Sequence, residues 1–186
     1  MPSSTKDART ARSGAAFREA LLHLLESKPF DQITVRDICA ASAVHYATFF
    51  RHHPGKDALL HDLAADEIGQ AVTLAWPAHA QAKDGPDFAM LCRRVGERRA
   101  LWTILLNGGA SAYTRQEWLR HAHALAEKFP PAVDWLPKEL ATICDVSLVL
   151  DTLSWWLAQP VGTVEHLEIA SMLRRTRASV LATAHR

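Results

Sequence analysis

The sequence predicts an all-α protein of about nine helices, arranged as a small N-terminal head on a larger helical body. Three observations carry this expectation. Apolar residues recur at three- and four-residue intervals along most of the chain, the period of a helix with one buried face. No stretch shows the two-residue alternation of a strand, and no internal repeat appears. Proline and glycine fall where such helices would end: Pro29, Pro54-Gly55, Pro77, Gly108-Gly109, Pro130-Pro131 and Pro160. With 186 residues, 48% of them apolar, the chain has ample material for a core and is too apolar for a disordered polymer.

Residues 1–13 read as a flexible polar arm bearing Lys6, Arg9 and Arg12. In the first helix Phe17, Leu21, Leu24 and Leu25 share one stripe, and Ser27-Lys28-Pro29 ends it, because proline disfavours helix in the residue before it. Phe30 and Ile33 anchor the link to a second helix. Thr34 is its N-cap, and Asp37 three residues on approximates a capping box. A turn at Ala41-Ser42-Ala43 leads to a short third helix from about Val44 to His52. Pro54-Gly55 stops it, and Lys56-Asp57 opens a long fourth helix that Trp76-Pro77 closes. Residues 77–87 read as a loop. Helices are then expected from Phe88 to about Arg98, from about Ala100 to Leu106, from Ser111 to Phe129, and from Lys138 to Ala158. A last one starts at Thr163 as N-cap and runs to about Thr183.

Two short helices joined by a small-residue turn, followed by Pro-Gly-Lys, are the pattern of a helix-turn-helix whose second helix enters a DNA major groove. Charge agrees weakly. Residues 1–57 hold eight Lys/Arg against six acids, a net of +2, while the other 13 basic and 14 acidic residues net −1. The expected boundary lies there: 1–57 is a DNA-binding domain with its arm, and 58–186 is the body.

From about Phe17 to Leu60 the chain resembles the DNA-binding domain of the TetR family of transcriptional regulators. The resemblance rests on Thr34-Val35-Arg36-Asp37-Ile38-Cys39, Ser42-Ala43-Val44-His45, Ala47-Thr48-Phe49-Phe50-Arg51-His52-His53 and Gly55-Lys56-Asp57-Ala58-Leu59. It implies that the third helix presents His45, Tyr46 and Thr48 to the groove or its rims. Tyr46 suits a phosphate or a thymine methyl. Thr34 caps amides that favour phosphate, Arg36 reaches a base edge, Lys56 is a point charge for the backbone, and His52 shares the phosphate grip. Arg51 and His53 read instead as solvated helix-face residues. The chain departs from the pattern at Ala43 (usually glycine), His45 (often a serine cap), Phe50 (lacking the phenolic hydroxyl) and His53 (usually phenylalanine).

In the body, Ile143, Val146, Leu150, Leu153 and Leu157 form a seam suited to helix-on-helix packing, with Ile169, Leu173 and Val180 as a matching stripe. These are the expected interface of a homodimer built as an intermolecular four-helix bundle, the alternative being a monomer core. Trp76, Phe88, Trp102, Trp118, Trp155 and Trp156 are the candidates for a pocket taking a small apolar or aromatic ligand, the alternative for each being core filler. This helix pattern and the resemblance together imply that 58–186 is a ligand-binding and dimerisation domain. The resemblance implies a repressor that leaves a palindromic double-stranded operator when ligand favours a head spacing that does not fit DNA.

Other classes fit poorly. No His-Glu-x-x-His, nucleophile elbow or phosphate-cradling glycine loop occurs, so neither enzyme, metal nor cofactor is expected. His121 and His123 are two apart on a helix and point in different directions. Cys39, Cys92 and Cys144 read as buried free thiols. No apolar run approaches the roughly 18 residues of a membrane span, and no secretory signal is visible, so a cytoplasmic protein without membrane contact is expected. The rival reading is a helical interaction module of the same fold that has lost DNA binding; an enzyme is the remote one.

Overall fold

A computed structural model describes residues 3–75, 87–129 and 135–182, all-helical among those residues. The helices are α1 (Ser3–Ser27), α2 (Val35–Ser42), α3 (Tyr46–His52), α4 (Lys56–Ala75), α5 (Phe88–Glu97), α6 (Arg99–Asn107), α7 (Ser111–Ala126), α8 (Lys138–Ala158) and α9 (His166–Ala182). A single 3-10 turn, Phe30–Gln32, links α1 to α2. The chain divides into two compact units, residues 1–65 and 66–186, and α4 crosses the division.

The first unit packs α1 on α2 and α3. Phe17, Leu21 and Leu25 of α1 are buried with Ile33, Ile38, Phe49 and Leu59. The Phe17 and Phe49 rings meet edge to face, 5.1 Å between centroids. The expected flexible arm is corrected here: α1 is helical from Ser3. The stretch contains no proline beyond Pro2 and is rich in Ala and Arg, strong helix formers. Once the buried face from Phe17 onward has nucleated the helix, extension toward the N-terminus is cheap. Arg12 Nε and Ser13 Oγ donate to the carbonyls of Ala8 and Arg9, one turn back.

In the second unit α8 packs against α6, α7 and α9, and α5 lies on α9. By length and composition α8 could cross a membrane. Its contacts are those of a core helix: Val146, Val149, Leu150, Leu153, Trp156 and Leu157 are buried against its neighbours. Its polar residues are also partnered, Asp145 to Arg177 of α9 at 2.7 Å and Asp151 to Arg115 of α7 at 3.2 Å. Burial pushes the Asp145 carboxyl up, with Arg177 acting against it. The carbonyls left over at the end of α8 are closed by a side chain from α6: Arg99 Nη2 donates to Trp156, Leu157 and Gln159.

Thr163 does not cap α9, which begins at His166. Residues 160–163 form a turn closed by Thr163 N–H donating to Pro160 O at 3.2 Å, with Gly162 in its third position at φ +84°. Of the cysteines only Cys92 is buried, its thiol pushed up to about 12 by that burial. Cys39 is half-buried and Cys144 exposed, because α8 turns that position to solvent.

Candidate nucleic-acid interface

The helix-turn-helix is fixed by local chemistry at each joint. Thr34 and Asp37 form a complete capping box: Asp37 N–H donates to Thr34 Oγ1 at 3.2 Å, and Thr34 N–H donates to Asp37 Oδ2 at 2.8 Å. Lys28 Nζ also donates to Asp37 Oδ2 at 2.8 Å. Lys28 first, then Thr34, holds this carboxyl down at about 2. The α2–α3 turn closes with Val44 N–H on Cys39 O and Ala43 N–H on Ala40 O, a Schellman pair. Ala43 itself sits at φ +53°, ψ +28°. The left-handed backbone expected at this position is present, without the glycine that adopts it freely.

α3 starts at Tyr46 with His45 as an N-cap whose side chain makes no capping bond. Tyr46 and Phe50 are one turn apart, edge to face at 5.0 Å, and half exposed at 50% and 47%. Two neighbouring aromatic rings on a short surface helix are apolar area that the head leaves uncovered. Arg36 and His45 are exposed, and Thr48 is half-buried, its Oγ1 accepting from Arg51 at 2.9 Å. Thr34 is exposed, but its hydroxyl proton goes to Asp37. His52 is half-buried, its ring edge-on to Phe17 at 5.7 Å.

Two expectations are corrected. The Lys56 ammonium is not a free charge for phosphate: it donates to the carbonyls of Phe30, Asp31 and Ile33 at 2.8, 3.1 and 2.8 Å, and lies over the Phe30 ring. An ammonium has three hydrogens, and three carbonyls at the end of a 3-10 turn use them all. His53 is not on a solvated face but 6% exposed, its Nδ1 3.2 Å from Asp62 Oδ2 and its ring among Phe17, Phe49 and His52. Burial pushes its pKa down while Asp62 pulls it up. Lys28 is the residue that sequence reasoning passed over; its spacing from Asp37 across a proline carried no pairing signal.

The body residues fall into three groups. Phe88, Trp102, Trp118 and Trp156 are buried, with the Trp102 and Trp118 rings in edge contact at 6.0 Å and Trp156 Nε1 donating to Val164 O. Trp155 is half exposed at the surface and does not line this interior, because it is offset from Trp156 by one helix step. Trp76 lies outside the described residues, as does the side chain of Val180.

The seam is corrected as well. Val146, Leu150, Leu153, Leu157, Ile169 and Leu173 are buried inside their own subunit, and Ile143 is half-buried. A three-four spacing fits intrachain helix packing as readily as a partner, and here α6, α7 and α9 have taken that face. On these two helices the large apolar groups left at the surface are Leu140 and Trp155 of α8 and Leu167 and Met172 of α9.

Residues 18–63 match the family model described as bacterial regulatory proteins, tetR family. No curated protein matches the chain. Among solved structures, the fold is similar to a TetR transcriptional regulator from Streptococcus agalactiae 2603V, at 18% identity over 98% of this chain and 99% of that one, TM-score 0.62. It is also similar to the dihydroxyacetone kinase operon activator DhaS, at 11% identity over 94% and 98%, TM-score 0.67. A putative transcriptional regulator from Pseudomonas aeruginosa PAO1 matches at 22% identity over 93% and 92%, TM-score 0.58. The matched segment spans α2 and α3 with their caps, and the shared fold extends over both units. Residues 18–63 are thus similar to the tetR family model, and the likeness of the whole chain to these solved regulators is one of fold.

Proposed function

We propose that this DNA-binding transcriptional regulator is a ligand-responsive repressor that occupies a palindromic operator as a homodimer in the cytoplasm. The observation that carries the DNA reading is the half-exposed Tyr46–Phe50 pair at the start of α3, on a helix-turn-helix with every joint capped or closed except the His45 start. Such rings suit thymine methyl groups and sugar–phosphate edges. Arg36, His45 and Thr48 flank them as candidate contacts, and Arg51, exposed and bonded to Thr48, joins them. Thr34, His52 and Lys56 serve by fixing the helices rather than by touching phosphate.

The homodimer reading rests on the exposed side of α8 and α9. Leu140, Cys144, Asp151 and Trp155 follow one another at helical spacing on α8, and Leu167 and Met172 stand exposed on α9. A twofold interface places the same patch on both partners. The ligand reading rests on the buried tryptophans of α6, α7 and α8. DhaS is by name an activator, so a promoter reporter tests the repressor reading: lower expression with the protein present supports it, and higher expression overturns it.

The test is a gel shift on the DNA flanking the protein's own gene, at two salt concentrations. A pseudo-palindrome is expected, with affinity falling steeply as salt rises. Tyr46→Ala should weaken specific binding by roughly ten- to hundredfold, and Arg36→Ala by a similar factor, with melting temperature unchanged. Binding insensitive to both substitutions, or absent on every fragment, would favour an interaction module that has lost DNA recognition. For the dimer, Trp155→Glu should convert the species seen in sedimentation from two chains to one.

A further inference from the structure

Four buried side-chain atoms among the described residues have no protein partner: Glu67 Oε2, Arg94 Nε, Trp102 Nε1 and Thr114 Oγ1. The first two belong to a charged cluster in which Glu67 Oε1 already accepts from Arg94 and Arg98. The other two are no part of that cluster. Trp102 and Thr114 are both fully buried. Trp102 of α6 packs its ring on Trp118 of α7, and Thr114 lies one turn before Trp118 on the same buried face. Both residues therefore belong to the buried surfaces of two helices, α6 and α7, that pack on each other.

Thr114 makes the point sharpest. A buried helical threonine usually quiets its hydroxyl on the carbonyl four residues back. The buried Thr142 does so here on Lys138, as do the half-buried Thr103 on Arg99 and the exposed Thr73 on Gly69. Thr114 does not: its hydroxyl has no partner on its own helix or elsewhere in the protein. An indole N–H only donates, and a hydroxyl donates or accepts. Burying both without a partner is unfavourable, and such groups mark a place where something else completes them. The other buried residues of α7, Ala122 and Ala126, are small, so Trp118 is the one large buried side chain of that helix.

We propose that the effector of this regulator is a flat apolar molecule carrying a hydrogen-bond-accepting oxygen, bound by the Trp102 indole N–H and the Thr114 hydroxyl against the Trp118 ring. This rests on the reading that the body holds a small molecule, and it narrows that molecule from any apolar or aromatic compound to a ketone, ester or similar acceptor. Binding satisfies two donors that the protein leaves open, so a matched hydrocarbon of the same shape is discriminated against by the groups it strands.

The experiment is calorimetric titration of the full chain with three matched pairs: 1-indanone and indane, acetophenone and ethylbenzene, fluorenone and fluorene. At least one ketone should bind about tenfold more tightly than its hydrocarbon. Thr114→Val and Trp102→Phe should each cut that preference, the ratio of ketone to hydrocarbon affinity, by about fivefold. Thr114→Val has a second readout: it should keep or raise the melting temperature of the ligand-free protein, since it removes an uncompensated hydroxyl. A lowered melting temperature would mean that the hydroxyl has a protein partner, and would overturn the proposal. Equal affinity for ketone and hydrocarbon overturns it too, while leaving the ligand-binding body intact. Binding of no member of any pair overturns it together with the reading on which it rests.

Discussion

The head and the body treat buried polarity in opposite ways. In the first unit, among the described residues, no buried side-chain nitrogen or oxygen lacks a protein partner. Asp37 answers Thr34 and Lys28, Lys56 answers three carbonyls, and His53 lies against Asp62. In the second unit four such atoms are unanswered, and Glu67, a carboxylate 3% exposed, sits in a cluster with two arginines. The head has one geometry to hold against DNA, and satisfied networks specify one geometry. The body carries uncompensated groups, which specify its geometry less strictly.

This contrast can be broken at several points. The largest effect is expected in the body. Glu67→Ala leaves the Arg94 and Arg98 guanidiniums facing each other without their shared carboxylate, and should cost about 3 kcal/mol, discounted for their partial exposure. Urea unfolding followed by circular dichroism measures it; a loss below 1 kcal/mol would show the cluster to be slack. In the head, Lys56→Met strands three carbonyls and should cost about 2 kcal/mol. Its DNA affinity should recover when the protein is held well below its melting temperature, whereas a phosphate-contact lysine would show the deficit at every temperature.

Smaller effects refine the picture. Ala43→Gly relieves the left-handed backbone at φ +53° and should stabilise the head by about 1 kcal/mol. His53 contributes the least and is read through pH. Its pKa is pushed below the ordinary value by burial, so the unfolded chain takes up the proton first. Its stabilising share is therefore complete above roughly pH 6.5 and declines as pH falls through that value. Asp37 behaves oppositely in mechanism and later in titration: its share is lost only as pH drops from roughly 4 toward its folded value of about 2. His53→Phe should flatten the stability profile between pH 7 and 5 and leave the acid limb due to Asp37 in place.

How far residues alone carried the reading follows the same division. The head was legible because its signals are local: Pro29, Thr34 with Asp37, the left-handed Ala43, Pro54-Gly55. Each acts within a few residues, so spacing is enough. The bounds of α8 were legible for the same reason, between Pro137 and Pro160. What spacing does not encode is direction across the fold. The periodicity of Val146, Leu150, Leu153 and Leu157 marks a buried face without saying whether the same chain or another covers it. A lysine at the start of a helix reads as a charge for phosphate until the fold brings Phe30, Asp31 and Ile33 within its reach. The helical stretch before Phe17 was read as an arm because polar composition hides a helix that needs no second buried face.

Lys56 has one more consequence. It is the first residue of α4, and its ammonium is clamped on the corner between α1 and α2. A tilt of the long helix thus reaches the recognition segment as a displacement of the entire N-terminal bundle, not as a bend within it. The recognition segment keeps its shape while it travels, so such a tilt misplaces it rather than melting it.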